Sequence, residues 1–93
     1  VNYSEILRMA ISNKEVSLTE ICKQIRKHGY KTNKTYLSKL QNGKTPPASD
    51  SFNQIIAEVL GIDPIELKTA AYREKIPQEV LEKLQSYSKV NSA

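Results

Sequence analysis

The chain has 93 residues, 39% hydrophobic and 26% charged, with a net charge of +4. That is one globular domain with a modest core, too rich in apolar residues for a disordered chain and with no apolar run near the roughly 18–20 residues of a membrane span. A single cysteine, Cys22, leaves no internal disulfide and points to a reducing compartment, and a single histidine, His28, is too little for a zinc site.

The opening Val1-Asn2-Tyr3-Ser4-Glu5 is polar and acidic, and no apolar stretch follows it, so no signal peptide and a cytoplasmic location are expected. The charge is unevenly placed. Residues 1–45 hold nine Lys/Arg and three Glu, whereas residues 46–93 hold five Lys/Arg and seven Asp/Glu. From Ile21 to Ser49 there is no acidic residue, while Lys23, Arg26, Lys27, Lys31, Lys34, Lys39 and Lys44 all fall there. A solvated face usually mixes signs; a one-signed stretch of this length creates a field suited to a polyanion.

Apolar residues recur at spacings of three and four and do not alternate for long, so the chain reads as helical throughout. The first helix is expected over about Tyr3–Ser12, with Tyr3, Ile6, Leu7, Ala10 and Ile11 as one stripe and Asn13-Lys14 as its break. The second opens at Ser17, where Ser17-Leu18-Thr19-Glu20 has the pattern of a reciprocal capping box. Leu18, Ile21, Cys22 and Ile25 form its inner face, and Gly29 is a stop. The third is capped by Thr32 or Asn33, turns Tyr36, Leu37 and Leu40 inward, and ends at Gly43. The two prolines in 44–49 require a loop. Ser49 or Asp50 caps a fourth helix, with Phe52, Ile55, Ile56, Val59 and Leu60 inward and Gly61 as its end. Asp63-Pro64 opens a fifth, with Leu67, Ala70 and Ala71 inward, bounded by Ile76-Pro77. A sixth follows over about Pro77–Tyr87, with Val80, Leu81, Leu84 and Tyr87 on one side and a polar tail from Ser88. The expected fold class is all-α, a compact bundle of five or six short helices, each held by packing its stripe.

The ordered set Ser17/Glu20, Cys22, Asn42-Gly43-Lys44, Leu60-Gly61 and Asp63 resembles the phage-repressor/Cro class of helix-turn-helix proteins, the xenobiotic-response-element family, over about residues 4–72. The resemblance implies a lambda-repressor-like DNA-binding domain over 1–75. The C-terminal helix and tail, 76–93, read either as packed on that domain through the Val80, Leu81, Leu84 and Tyr87 stripe or as a dimer contact or linker. One departure is visible. Ile25 is followed by Arg26-Lys27-His28-Gly29-Tyr30-Lys31-Thr32 before the third helix, about five residues more than such motifs usually carry. Either the second helix is a turn longer or the connection is a genuine loop.

A recognition helix puts outward side chains into the major groove, while phosphate contacts set its register. The resemblance places base contacts on Lys34, Thr35 and Lys39, with Ser38 near them; Asn33 also lies on the outward side and could pair with adenine. Phosphate contacts are expected from Ser17 and Thr19 at the start of the second helix, from Lys23, Lys27 and Lys31, and from Asn42, Gly43, Lys44 and Thr45 after the third. Tyr36 reads as core with its hydroxyl at the rim or as a phosphate contact. Tyr30 reads as a loop anchor or as another. Cys22 reads as a small core residue and His28 as a surface residue at a helix end.

The resulting expectation is a sequence-specific double-stranded DNA-binding transcriptional regulator, a bacterial, nucleoid-associated repressor of a phage or mobile element, acting as a homodimer. The alternative is a protein-binding module such as an antitoxin, engaging its partner through helix 77–87. No Ser/His/Asp set, metal-ligand set or phosphate-cradling glycine loop is present, so neither enzyme activity nor a cofactor is expected.

Overall fold

A computed structural model describes residues 1–91 and the side chains of residues 1–86. Its six helices are α1 (Tyr3–Lys14), α2 (Leu18–Lys27), α3 (Lys34–Gln41), α4 (Asp50–Leu60), α5 (Pro64–Lys75) and α6 (Gln78–Asn91), and no strand occurs among the described residues. They form a compact all-α bundle, as the apolar spacing predicts.

Each of the first five helices begins at a side-chain cap. Asn2, Ser17, Asn33, Ser49 and Asp63 accept from the backbone N–H groups of Glu5, Glu20, Tyr36, Phe52 and Ile65. These bonds satisfy donors that the first turn leaves without a partner. The expected choice between Thr32 and Asn33 falls to Asn33, and that between Ser49 and Asp50 to Ser49. The capping box at Ser17 forms only by half. Ser17 Oγ accepts from Glu20 N–H at 3.1 Å, but the Glu20 carboxylate accepts from the Gln24 side-chain amide, one turn onward, at 3.5 Å.

α1 runs past its expected end at Ser12 to Lys14, and the chain reverses at Glu15, which holds φ 58° in the left-handed region. An Asn-Lys pair is a weak breaker; a left-handed residue ends the helix outright.

The core joins five helices. Tyr3, Leu7, Ala10 and Ile11 of α1 meet Ile21, Cys22 and Ile25 of α2, Leu37 and Leu40 of α3, Phe52, Ile56, Ala57, Val59 and Leu60 of α4, and Leu67, Ala70 and Ala71 of α5. α1 packs on α3, α4 and α5, α2 packs on α3 and α4, and α4 packs on α5. Most of the predicted stripes of these five helices are buried, while Ile6, Leu18 and Tyr36 are only partly covered. Ile55 is also only partly covered, and Asn53, absent from the predicted stripe, is wholly buried. α6 supplies no described residue to this core. Val80 and Leu84 stay about half exposed, at 48% and 50%, and Leu81 is partly covered; the side chain of Tyr87 lies outside the described residues. No helix among the described residues is long and apolar enough to cross a membrane.

Candidate nucleic-acid interface

α3 is short, and its two faces have separate uses. Leu37 and Leu40 are fully buried, which fixes the helix on α1 and α2. The 3.6-residue repeat then turns Lys34, Thr35, Ser38 and Lys39 away from the core. Together with Asn42, Lys44 and Leu18 at the start of α2, they line an open depression of about 480 Å³. Three of these residues are lysines, and none is acidic. Four of the five residues predicted to reach bases thus converge on one concave surface, joined by Asn42 and Lys44 from the set predicted to reach phosphate.

Both ends of α3 are locked by their own hydrogen bonds. Asn33 Oδ1 accepts from Tyr36 N–H at 2.8 Å, so the carboxamide oxygen is turned into the helix start. A bidentate pairing of Asn33 with adenine would call on the same oxygen that caps the helix. At the other end Lys44 N–H donates to Lys39 carbonyl at 2.9 Å and Gly43 N–H to Leu40 carbonyl at 3.3 Å, with Gly43 at φ 68°. This pair of bonds is a Schellman motif, and glycine holds the left-handed position without strain. Gly43 was expected to present its backbone to phosphate. Its N–H is instead taken by the helix end, as is that of Lys44, so Lys44 contributes its ammonium and Gly43 the turn. Asn42 folds back in the same way, its Nδ2 donating to Ser38 carbonyl at 2.8 Å and lying 3.4 Å from Ser38 Oγ. Only its oxygen remains outward.

The expected phosphate set divides further. Ser17 is exposed, and its Oγ accepts the Glu20 N–H, which leaves its hydroxyl hydrogen to donate. Thr19, Lys23, Lys27 and Lys31 are exposed, and Thr45 is half-buried. Tyr36 is different. Its ring packs edge-on against Phe52 with centroids 5.6 Å apart, and burial pushes its hydroxyl pKa upward. The Tyr36 ring thus packs against the core while the residue stays partly exposed.

The long connection is resolved as a loop. α2 stops at Lys27, His28 caps it, and residues 28–33 cross to α3. Tyr30 anchors this loop edge-on against Phe52 at 6.2 Å, and Arg26 Nε donates to Thr32 carbonyl at 3.3 Å across its base. Thr32 does not cap α3; its Oγ1 is buried without a hydrogen-bond partner. His28 is exposed, and Cys22 is 1% exposed, its thiol pKa raised by burial against a smaller opposing effect of Arg26. No group of three or more His, Cys, Asp or Glu side chains able to hold a metal occurs among the described residues.

Two contributors escape the sequence reading. Leu18 looks like an ordinary inner-face residue, yet it is only partly buried and gives the depression its apolar component. The second is a buried polar network behind the loop that follows α3. Tyr3 hydroxyl donates to Asn53 Oδ1 at 2.6 Å and accepts from Ala48 N–H at 3.4 Å, while Asn53 Nδ2 donates to Ala48 carbonyl at 3.0 Å. An Asn three, four and seven residues before Ile56, Ala57 and Leu60, at the spacing of the apolar face, is the signal that could have pointed to it.

Comparison with known proteins gives no match to a family model, to a curated protein or to a solved structure.

Proposed function

We propose that the protein binds double-stranded DNA, with α3 in the major groove and the start of α2 and the α3–α4 turn on the phosphate backbone. The observation that carries this reading is the depression on the outward face of α3, lined by Lys34, Lys39 and Lys44 with no acid among its walls. All of its lining residues except Leu18 fall in the acid-free stretch Ile21–Ser49. The resemblance of residues 4–72 to phage-repressor/Cro helix-turn-helix proteins extends the reading to a transcriptional regulator, a repressor of a phage or mobile element. A two-fold dimer would then place two α3 helices about 34 Å apart on one face of the duplex.

The test is selection from a random duplex pool at about 150 mM salt, followed by titration of the enriched duplex. A palindromic or repeated consensus is expected, with log K falling at a slope of about −4 to −5 per subunit against log salt. Lys34→Ala and Lys39→Ala should weaken binding without lowering stability. Binding without enrichment would reduce the protein to a non-specific polyanion binder, and no binding at low salt would end the DNA reading.

The half-exposed Val80 and Leu84 on α6 favour a second reading, in which the main partner is a protein engaged through this helix. If loss of Lys34 and Lys39 leaves function in cells intact while polar substitutions at Val80 and Leu84 abolish it, that reading replaces the first.

A further inference from the structure

The four α3 residues that line the depression offer two ammonium groups, Lys34 and Lys39, and two hydroxyls, Thr35 and Ser38. Lys34 and Lys39 carry ammonium groups, which donate and never accept. Asn33 at the helix start could have supplied a donor–acceptor pair, but its oxygen is held by Tyr36 N–H at 2.8 Å. Ser38 Oγ lies 3.4 Å from the Asn42 amide as its acceptor, which leaves the Ser38 hydroxyl hydrogen to donate. Asn42 keeps an outward oxygen, but eight residues beyond Lys34, about 12 Å along the axis and away from the end that enters a groove. No Asp or Glu lines the depression, and its apolar component is Leu18.

We infer, resting on the DNA-binding reading above, that α3 selects keto bases, guanine and thymine, on the strand it faces. Guanine presents two acceptors in the major groove, O6 and N7, and thymine presents the O4 acceptor beside a methyl group. Donors on Lys34, Lys39 and Ser38 match those acceptors, and Leu18 with the Thr35 methyl matches the thymine methyl. Where guanine has O6 adenine has an amino donor, and where thymine has O4 cytosine does, so each sets a donor against the ammonium groups there; adenine keeps one acceptor, N7, against guanine's two. The selectivity resides in the edge chemistry and not in net charge, because a purely phosphate-directed cation would accept all four bases alike.

The experiment uses the full chain and the duplex obtained by selection, with single-atom changes in the DNA. Replacing guanines in the half-site one at a time by 7-deazaguanine should weaken binding about fivefold or more at one or two positions, and 7-deazaadenine by less than about twofold at any position. Uracil in place of thymine should weaken binding a few-fold at one position. In Lys39→Ala the 7-deazaguanine penalty at one guanine should vanish, and in Leu18→Ala the uracil penalty should vanish. The atomic replacements lie in the DNA, so they remain decisive even if a protein variant folds poorly. A penalty at adenines as large as that at guanines, or none at any guanine, overturns the keto-base inference while leaving DNA binding intact. Failure to bind any duplex overturns the DNA reading itself, and this inference with it.

Discussion

Tyr3 at the start of α1 and Asn53 on the first turns of α4 are joined by a buried hydrogen bond of 2.6 Å across fifty positions of sequence. Both side chains are nearly or wholly inaccessible, at 2% and 0% exposure, and both also bond the backbone of Ala48. One contact thus ties α1, α4 and the loop that leaves α3. Polar groups this deep are tolerated because each finds a partner, and they are costly when one partner is removed.

Tyr3→Phe leaves Asn53 Oδ1 and Ala48 N–H buried without their hydroxyl partner. The expected loss is about 1–3 kcal/mol, which for a domain of this size lowers Tm by roughly 4–8 °C per kcal/mol. Urea denaturation monitored by circular dichroism reads it. A change below about 0.5 kcal/mol would show that the network does not stabilise the fold.

The same burial sets a pH limit. Desolvation pushes the Tyr3 hydroxyl from 10 up to about 12, against a smaller opposing effect of the Ala48 backbone bond. The folded state therefore binds this proton more tightly than the unfolded state. Its contribution is fully present below pH 10 and is lost as pH rises from 10 through about 12. Absorbance titration near the tyrosinate band should show a tyrosine ionising near pH 12 in the native protein that is missing in Tyr3→Phe. An identical titration of the two proteins would contradict the assignment.

Asn33 offers a way to separate capping from contact. Asn33→Ala should destabilise the domain by about 1 kcal/mol, through loss of the bond to Tyr36 N–H. Asn33→Asp keeps an acceptor at the cap and should hold stability near that of the parent, while its charge beside Lys34 weakens DNA binding. Thermal melts paired with anisotropy titrations check both arms; equal loss of stability in the two variants would rule out the cap as the dominant role.

Thr32 carries the converse prediction. Its Oγ1 is buried without a partner, so Thr32→Val removes a desolvated hydroxyl while keeping the branched shape. The change should be neutral or stabilising by up to about 1 kcal/mol. A clear destabilisation in urea would mean that the hydroxyl has a hydrogen-bond partner in solution, such as an ordered water.

Much of this architecture is legible locally. Helix spacing, four of the five caps, the Pro64 start and the Gly61 stop all act within a few residues of themselves, so their physics is written in the neighbouring letters; the Asn2 cap of α1 was not read there. The outward set Lys34, Thr35, Ser38 and Lys39 follows from the same periodicity once Leu37 and Leu40 are assigned to the core. The acid-free stretch needs only counting.

What required the tertiary structure was the division of roles among residues with more than one use. Tyr30 and Tyr36 both meet Phe52, which no local pattern reveals, and that contact holds both rings against the core. The amides of Gly43 and Lys44 look available in the sequence, yet the helix end takes them. Leu18 becomes part of a surface only because α3 lies beside the start of α2. Composition and spacing decided that the chain is helical and where its positive charge gathers, because those are properties of segments. The fold decided which donors and acceptors are left to face outward, because a hydrogen bond made inside the protein removes a group that the sequence alone would count as free.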